Sequence, residues 1–320
     1  FGIKVAAFVQ GIAAFLLLVI GVSFFLPGVV FGDLERLVPQ FTSFDGYLAV
    51  VVMTPFLFLG FDVIPQIAED IDLPRRTMGR LLLFSIGLAL SWYVLVQWTV
   101  GVTLESESLV GRELPTADAM SVVYGSQWGG RALVIGGVLG IATSWNAFFM
   151  AASRLLFAMA RGAMLPAVFA KLHPRYQSPV AAIVLLTACT VIAPFFGRPA
   201  LVWLVDAGGF AAVVAYGLVA VSFLVIRQRF PDLPRPYRLP YPKVVGGLAL
   251  GSTLVFVVLY LPGSPVALTW PYEWAIIGIW VLLGMVFSLG LDRRVRRIGK
   301  LRRNQLILGD YADVMQVKDS

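Results

Sequence analysis

The chain has 320 residues, 59% of them hydrophobic and only 13% charged, with a formal net charge of +7. Its mean hydropathy of +0.85 lies far above that of soluble domains and excludes an ordinary water-soluble fold. The positive balance does not point to nucleic acid, because the basic residues sit in short blocks between apolar runs. The one cysteine, Cys189, and the one histidine, His173, leave no disulfide framework, no thiol metal site and no expected cofactor.

Eight apolar runs are long enough to cross a hydrocarbon core, which takes about 20 helical residues. They are roughly 3–26, 45–68, 80–103, 131–158, 179–197, 200–226, 244–262 and 271–291. The expected fold class is therefore all-α and integral to the membrane. The second run differs from the others. Within MTPFLFLGFDVIPQIAEDIDLPRR, Met53 to Arg76, it carries Pro55, Gly60, Asp62 and Pro65. An acid near the middle of a span costs about 2.5–3.5 kcal/mol on insertion scales, so it needs a partner or a wet cavity. Gly and Pro beside it loosen the helix where backbone groups can turn toward a ligand. An interrupted, acid-bearing span is a sequence mark of a transporter's binding site.

Further along, TADAMSVVYGSQW in the 103–130 loop predicts a short helix capped by Thr116 and stopped before Gly129 and Gly130. Residues 162–178 are too short and too polar to span and read as a connector with a turn or short interfacial helix. The small-xxx-small pairs Gly136/Gly140 and Gly247/Gly251 predict close helix contacts. A tail from 293 to 320 carries Arg293, Arg294, Arg296, Arg297, Lys300, Arg302 and Arg303, and reads as an anchor on anionic lipid. Alternate loops set the orientation. One set holds Lys4, Arg75, Arg76, Arg80, Arg161, Lys171, Arg175, the 227–243 basic block and the tail. The other holds Arg36, Arg112, Arg131 and Arg198 among six acids. The positive-inside rule places both termini of the chain in the cytoplasm.

Three blocks resemble one family. FLFLGFDVIPQIAEDIDLPRR is similar to the broken sixth helix and following loop of the amino acid–polyamine–organocation (APC) superfamily. NAFFMAASRLLFAMARGAMLPAVFAKLHPRYQSP, from Asn146, is similar to its eighth helix and next loop, and RQRFPDLPRPYRLPYP, from Arg227, to the loop after its tenth. The opening GIKVAAFVQGIAAFLLLVIG resembles helix five. The resemblance implies helices five to twelve of a 5+5 inverted-repeat transporter. The permease domain would cover 1–292, with the second repeat at about 45–226 and two further helices at about 244–291. A glycine-rich first broken helix is not found in the sequence, so the chain reads as part of a longer transporter or a truncated copy.

The resemblance also implies roles. Backbone carbonyls of Phe56 and Leu59 at the break, with Gly60 allowing the unwinding, would hold a substrate ammonium group, and Phe61 borders them. Phe56 would close over the substrate or, alternatively, be an ordinary packing aromatic. Asp62 is either a titratable carboxylate beside the substrate or a structural acid bonded to freed amides. Glu69, Asp70 and Asp72 form an inner gate or a solvated helix end. Arg154 and Arg161, two turns apart, either pair with those acids or reach for phosphate headgroups. Trp145 and Asn146 would line the cavity, with Thr143 and Ser144 as weak sodium candidates that serve equally as helix-packing hydroxyls. Leu17 stands where the family often has a lysine, which leaves proton, sodium and ion-free exchange all open. Gly208 and Gly209 are expected to kink the tenth-helix equivalent. The implied activity is secondary transport of an amino acid or related amine. An intramembrane enzyme has no nucleophile–base set to support it, and a non-transporting sensor or assembly partner with the permease fold is the alternative.

Overall fold

The computed structural model describes residues 3–37, 43–66, 74–235 and 237–312. Glu69, Asp70 and Asp72 lie outside the described residues. The described chain is helical and contains no strand. Among the described residues six helices are long and apolar enough to cross a membrane. The fifth and sixth apolar runs form one stretch, Val180–Arg229: α7 (Val180–Ile192) passes through a 3₁₀ turn at Ala193–Phe196 into α8 (Gly197–Arg229). Gly197, at φ +75°, makes this step in a conformation that costs a residue with a Cβ. The second run is instead the short helix α2 (Phe44–Leu57). Side chains such as Phe8, Leu248 and Leu282 are exposed, an apolar surface suited to lipid.

The chain divides into two compact units, Phe1–Phe44 with Arg80–Phe148, and Asp45–Gly79 with Phe149–Ser320. The first contains α1 (Ile3–Phe31), α4 (Arg75–Thr103) from Arg80, α5 (Pro115–Val123) and α6 (Gln127–Arg161) as far as Phe148. Gly21, Gly28 and Gly32 let α1 lie directly on α4. A Cβ on Gly28 would stand 2.5 Å from Thr99 Cγ2, and one on Gly21 2.0 Å from Trp92 Cη2. Phe25 meets Trp92 edge-on at 4.9 Å. Phe24, Phe25, Val100, Leu104, Ala119 and Met120 form the buried cluster beneath α5.

α5 is capped differently from the sequence expectation. Its N-cap is Leu114, with Pro115 at the first position and no side-chain cap; proline's fixed φ starts the helix without a Thr116 hydroxyl. It stops at Tyr124–Gly125, where Gly125 takes φ +59°, before Gly129 and Gly130 are reached. Those two glycines instead let α6 begin against α5, because a Cβ on Gly130 would lie 2.3 Å from Ser121 Oγ.

The second unit packs α2 with α8, α9 (Pro242–Tyr260) and α10 (Tyr272–Leu289). Tyr260, 1% exposed, donates its hydroxyl to the Val52 carbonyl at 2.9 Å and meets Phe210 edge-on at 5.6 Å. Gly208 and Gly209 do not interrupt α8. They admit neighbours: a Cβ on Gly209 would lie 2.7 Å from Tyr260 Oη and 3.7 Å from Phe56 Cβ. The paired-glycine expectation divides in the same way. Gly136 and Gly140 face Ile20 and Leu17, whereas Gly247 and Gly251 face open space. The close approaches between α8 and α9 are made by Gly246, against Leu224, and by Gly217, against Thr253. The tail folds as α11 (Leu291–Ile298) and α12 (Lys300–Leu308). Arg294 donates to the carbonyls of Ala163 at 3.1 Å, Met164 at 3.2 Å and Phe287, and Arg303 to that of Gly162 at 3.1 Å. Two of the tail's arginines therefore serve the turn after α6, where Ala163 has φ +63°, and are not free for headgroups.

The α1–α4 contact makes Gly28→Ala destabilising by about 1–3 kcal/mol, the range for overpacking a filled site. Gly11→Ala, with nothing within 4 Å of its added methyl, is the control. Thermal unfolding of the protein in detergent separates the two.

The helix break as candidate functional site

α2 ends at Leu57 and the chain resumes as the short helix α3 (Val63–Gln66). Between them Gly60 takes φ +125°, open to glycine and strained for a residue with a Cβ. The turn is closed by Phe58 N–H to Thr54 O at 3.1 Å, Leu59 N–H to Phe56 O at 3.1 Å, Val63 N–H to Gly60 O at 3.2 Å and Ile64 N–H to Phe61 O at 3.3 Å. Of the two carbonyls nominated from sequence, that of Phe56 is engaged in this turn. The Leu59 carbonyl receives no hydrogen bond among the described residues.

Asp62 organises the break. Its Oδ1 accepts the Gly60 N–H at 2.9 Å and its Oδ2 accepts the Gln66 side-chain amide at 3.0 Å. The structural role foreseen for this acid is present, and it leaves the carboxylate partly accessible. The Phe61 ring lies 5.6 Å from that of Tyr216 in α8. The Tyr216 hydroxyl is buried and, among the described residues, has no hydrogen-bond partner. Phe56 rests against the Gly208–Gly209 step. The fold thus gathers Phe56, Leu59, Gly60, Phe61 and Asp62 with the middle of α8. Together they present an unengaged carbonyl, a carboxylate and a phenol hydroxyl between aromatic walls, a set suited to a polar cation such as an ammonium group.

Tyr216 was missed from sequence. Its one signal there is a hydroxyl in an apolar helix, a common feature that does not by itself select a site.

Of the α6 candidates, Thr143, Ser144, Trp145 and Asn146 belong to the first unit, and Arg154 and Arg161 to the second. Trp145 is 55% exposed, and Asn146 donates its amide to Gln10 of α1 at 3.1 Å. Thr143 donates to the Gly140 carbonyl of its own helix at 2.9 Å, the packing role weighed against sodium; Ser144 is exposed. Arg161 places its guanidinium 5.6 Å from the centre of the Phe157 ring; Arg154 is half-buried. His173 accepts the N–H groups of Arg175 and Tyr176 at 3.2 and 3.3 Å through Nδ1, a turn-closing role. Among the described residues no group of three or more His, Cys, Asp or Glu is placed to hold a metal ion.

A family model described as amino acid permease matches residues 1–283. The chain belongs to the amino acid permease family. It is 26% identical over 262 residues to a branched-chain amino acid permease of Bacillus subtilis (strain 168), an alignment covering 81% of this chain and 53% of that protein. It is 26% identical to an aspartate-proton symporter of the same organism, over 73% of this chain and 51% of the relative. To the human cationic amino acid transporter 4 it is 31% identical over 58% of this chain and 28% of the relative. The chain spans about half the length of the Bacillus relatives it matches. Its family and the six long apolar helices among the described residues make this a multi-pass membrane protein.

If Asp62 holds the break together, Asp62→Ala removes both bonds, while Asp62→Asn keeps an acceptor for Gly60. Hydrogen exchange across 58–66 is expected to rise in Asp62→Ala by about ten- to a hundredfold, the equivalent of about 1.5–3 kcal/mol for a hydrogen bond to a charged group. It is expected to stay near wild type in Asp62→Asn.

Proposed function

We propose that this permease is a secondary transporter of amino acids or related amines in the cell membrane, working by alternating access. The observation that carries the reading is the interruption of an apolar helix at Phe58–Asp62, with an unengaged carbonyl, an acid and a glycine at φ +125°. Helix-break carbonyls are good acceptors for an ammonium group because they lack their intrahelical donors. The substrate ammonium would be received by the Leu59 carbonyl and Asp62, with Phe56 and Phe61 as walls and Tyr216 as a further hydrogen-bonding group. Trp145 and Asn146 remain proposed cavity residues on α6. Glu69 and Asp70, with Arg154 and Arg161, remain the proposed inner gate.

The names of the relatives support the substrate class, and the aspartate-proton symporter supports a proton as coupling ion. Thr143 is spent on its own helix, which favours a proton over sodium. The distribution of arginines and lysines supports cytoplasmic ends for this chain.

The test is uptake of a labelled amino-acid panel into liposomes containing the protein, with pH and sodium gradients imposed separately. Uptake driven by the pH gradient is expected, and Asp62→Asn is expected to lower it by at least about tenfold, the equivalent of one charged hydrogen bond, or to uncouple it from pH. Unchanged uptake with unchanged pH dependence in Asp62→Asn would remove Asp62 from the mechanism. Folded protein that moves no amine would leave the non-transporting sensor or assembly partner as the function.

A further inference from the structure

Two cavities adjoin in the first unit where α5 meets α1, α4 and α6. One, of about 400 Å³, is lined by apolar side chains, among them Leu17 and Ile20 of α1, Trp92 of α4, and Leu133 and Ile141 of α6. Gly137 keeps its α6 side open, since a Cβ there would meet nothing within 4 Å. The other cavity holds the charged and polar groups Arg112, Asp118, Ser121, Gln127 and Arg131. Ala117 and Val134 line both. All of these residues belong to the first unit, and the transport reading uses neither cavity.

The polar cavity carries one uncompensated charge. Arg112 and Asp118 neutralise each other at 2.9 Å. Arg131 forms no salt bridge or side-chain hydrogen bond among the described residues. Its guanidinium lies 4.9 Å from the centre of the Trp128 ring, a contact that leaves its N–H fork available. That fork matches phosphate oxygens two at a time, and the exposed side-chain amide of Gln127 adds a donor beside it. The apolar cavity indicates what the phosphate is attached to. An apolar cavity of about 150 Å³ already holds a benzene molecule, so one of about 400 Å³ takes a hydrocarbon chain. Arg131 and Ile141 stand ten residues apart on α6, about 15 Å along the helix. That is the depth of one leaflet in a hydrocarbon core about 30 Å thick.

We propose that this end of the first unit binds one anionic phospholipid, with the phosphate on Arg131 and Gln127 and an acyl chain in the cavity between α1, α4, α5 and α6. A free phosphate would engage Arg131 and leave the apolar cavity unfilled, so a lipid is the source of the anion. The chain touches all four helices. Where lipid gives helices no hydrophobic reason to associate, packing has to supply it, and the bound lipid is part of that packing. It therefore stabilises the folded unit by mass action. The site stands whether or not the protein transports amines.

Native mass spectrometry of the purified full chain tests this, with phosphatidylglycerol, phosphatidylcholine and glycerol phosphate added in turn. The wild type is expected to retain one phosphatidylglycerol in preference to phosphatidylcholine, and no glycerol phosphate. Arg131→Gln is expected to weaken that retention by about tenfold or more, the loss of a charged hydrogen bond. Gly137→Leu is expected to weaken it as well by filling the place of the chain. Gly251→Leu, on an open face of α9, is the control and is expected to bind as the wild type does. Thermal unfolding in detergent shows that each variant is folded, and added phosphatidylglycerol is expected to raise the midpoint in the wild type and the control only. Equal retention of the two lipids, or unchanged phosphatidylglycerol affinity in Arg131→Gln, overturns the headgroup assignment. Glycerol phosphate held as tightly as the lipid overturns the chain site. No difference between the wild type and Gly137→Leu also overturns it, and leaves the cavity to a protein segment.

Discussion

In hydrocarbon an amide or carbonyl without a partner costs on the order of several kcal/mol, and every departure from continuous helix has to be closed from within the protein. The break after α2 meets this demand with one side chain. Asp62 accepts the Gly60 amide and, through its second oxygen, the Gln66 side chain, so an acid inside an apolar segment is itself the means by which the segment can be interrupted. The turn after α6 meets the same demand from the opposite polarity: Arg294 and Arg303 bring donors to carbonyls left at 162–164. At Gly197 the two helices continue into one another through a 3₁₀ turn.

Close approach is the second organising device, because lipid gives helices no hydrophobic reason to associate and packing has to supply it. The stripe Gly21, Gly28 and Gly32 brings α1 onto α4, and Gly217 and Gly246 bring α8 and α9 together. Gly208 and Gly209 connect this device to the break: by lacking side chains they admit Phe56 and Tyr260 to the surface of α8. The transport reading places substrate there. The polar groups of that region are held by bonds that span long stretches of chain, as Tyr260 to Val52 illustrates.

Much of the architecture was legible in the sequence. Apolar runs of spanning length and alternate basic loops are local signals, and they yielded an all-α membrane protein; the Pro55–Gly60–Asp62–Pro65 cluster marked the interruption where it is found. Capping was less legible. Thr116 has the chemistry of an N-cap, but Pro115 already sets the helical φ one residue earlier. Glycine pairs were legible only in part: spacing says that Gly247 and Gly251 share a face, not that a neighbour occupies it, and among the described residues none does.

The sequence by itself determined the membrane class, the place of the break, the acid within it and the resemblance to a permease, because hydropathy, helix-breaking residues and motif order are properties of adjacent residues. Only the tertiary structure decided which groups meet. It engaged the Phe56 carbonyl and left that of Leu59 without a donor among the described residues, set the Phe61 ring beside Tyr216 of α8, and spent Asn146 on Gln10. Such pairings follow from the register in which distant helices pack. An apolar helix looks much the same from sequence whichever of its faces carries the partner.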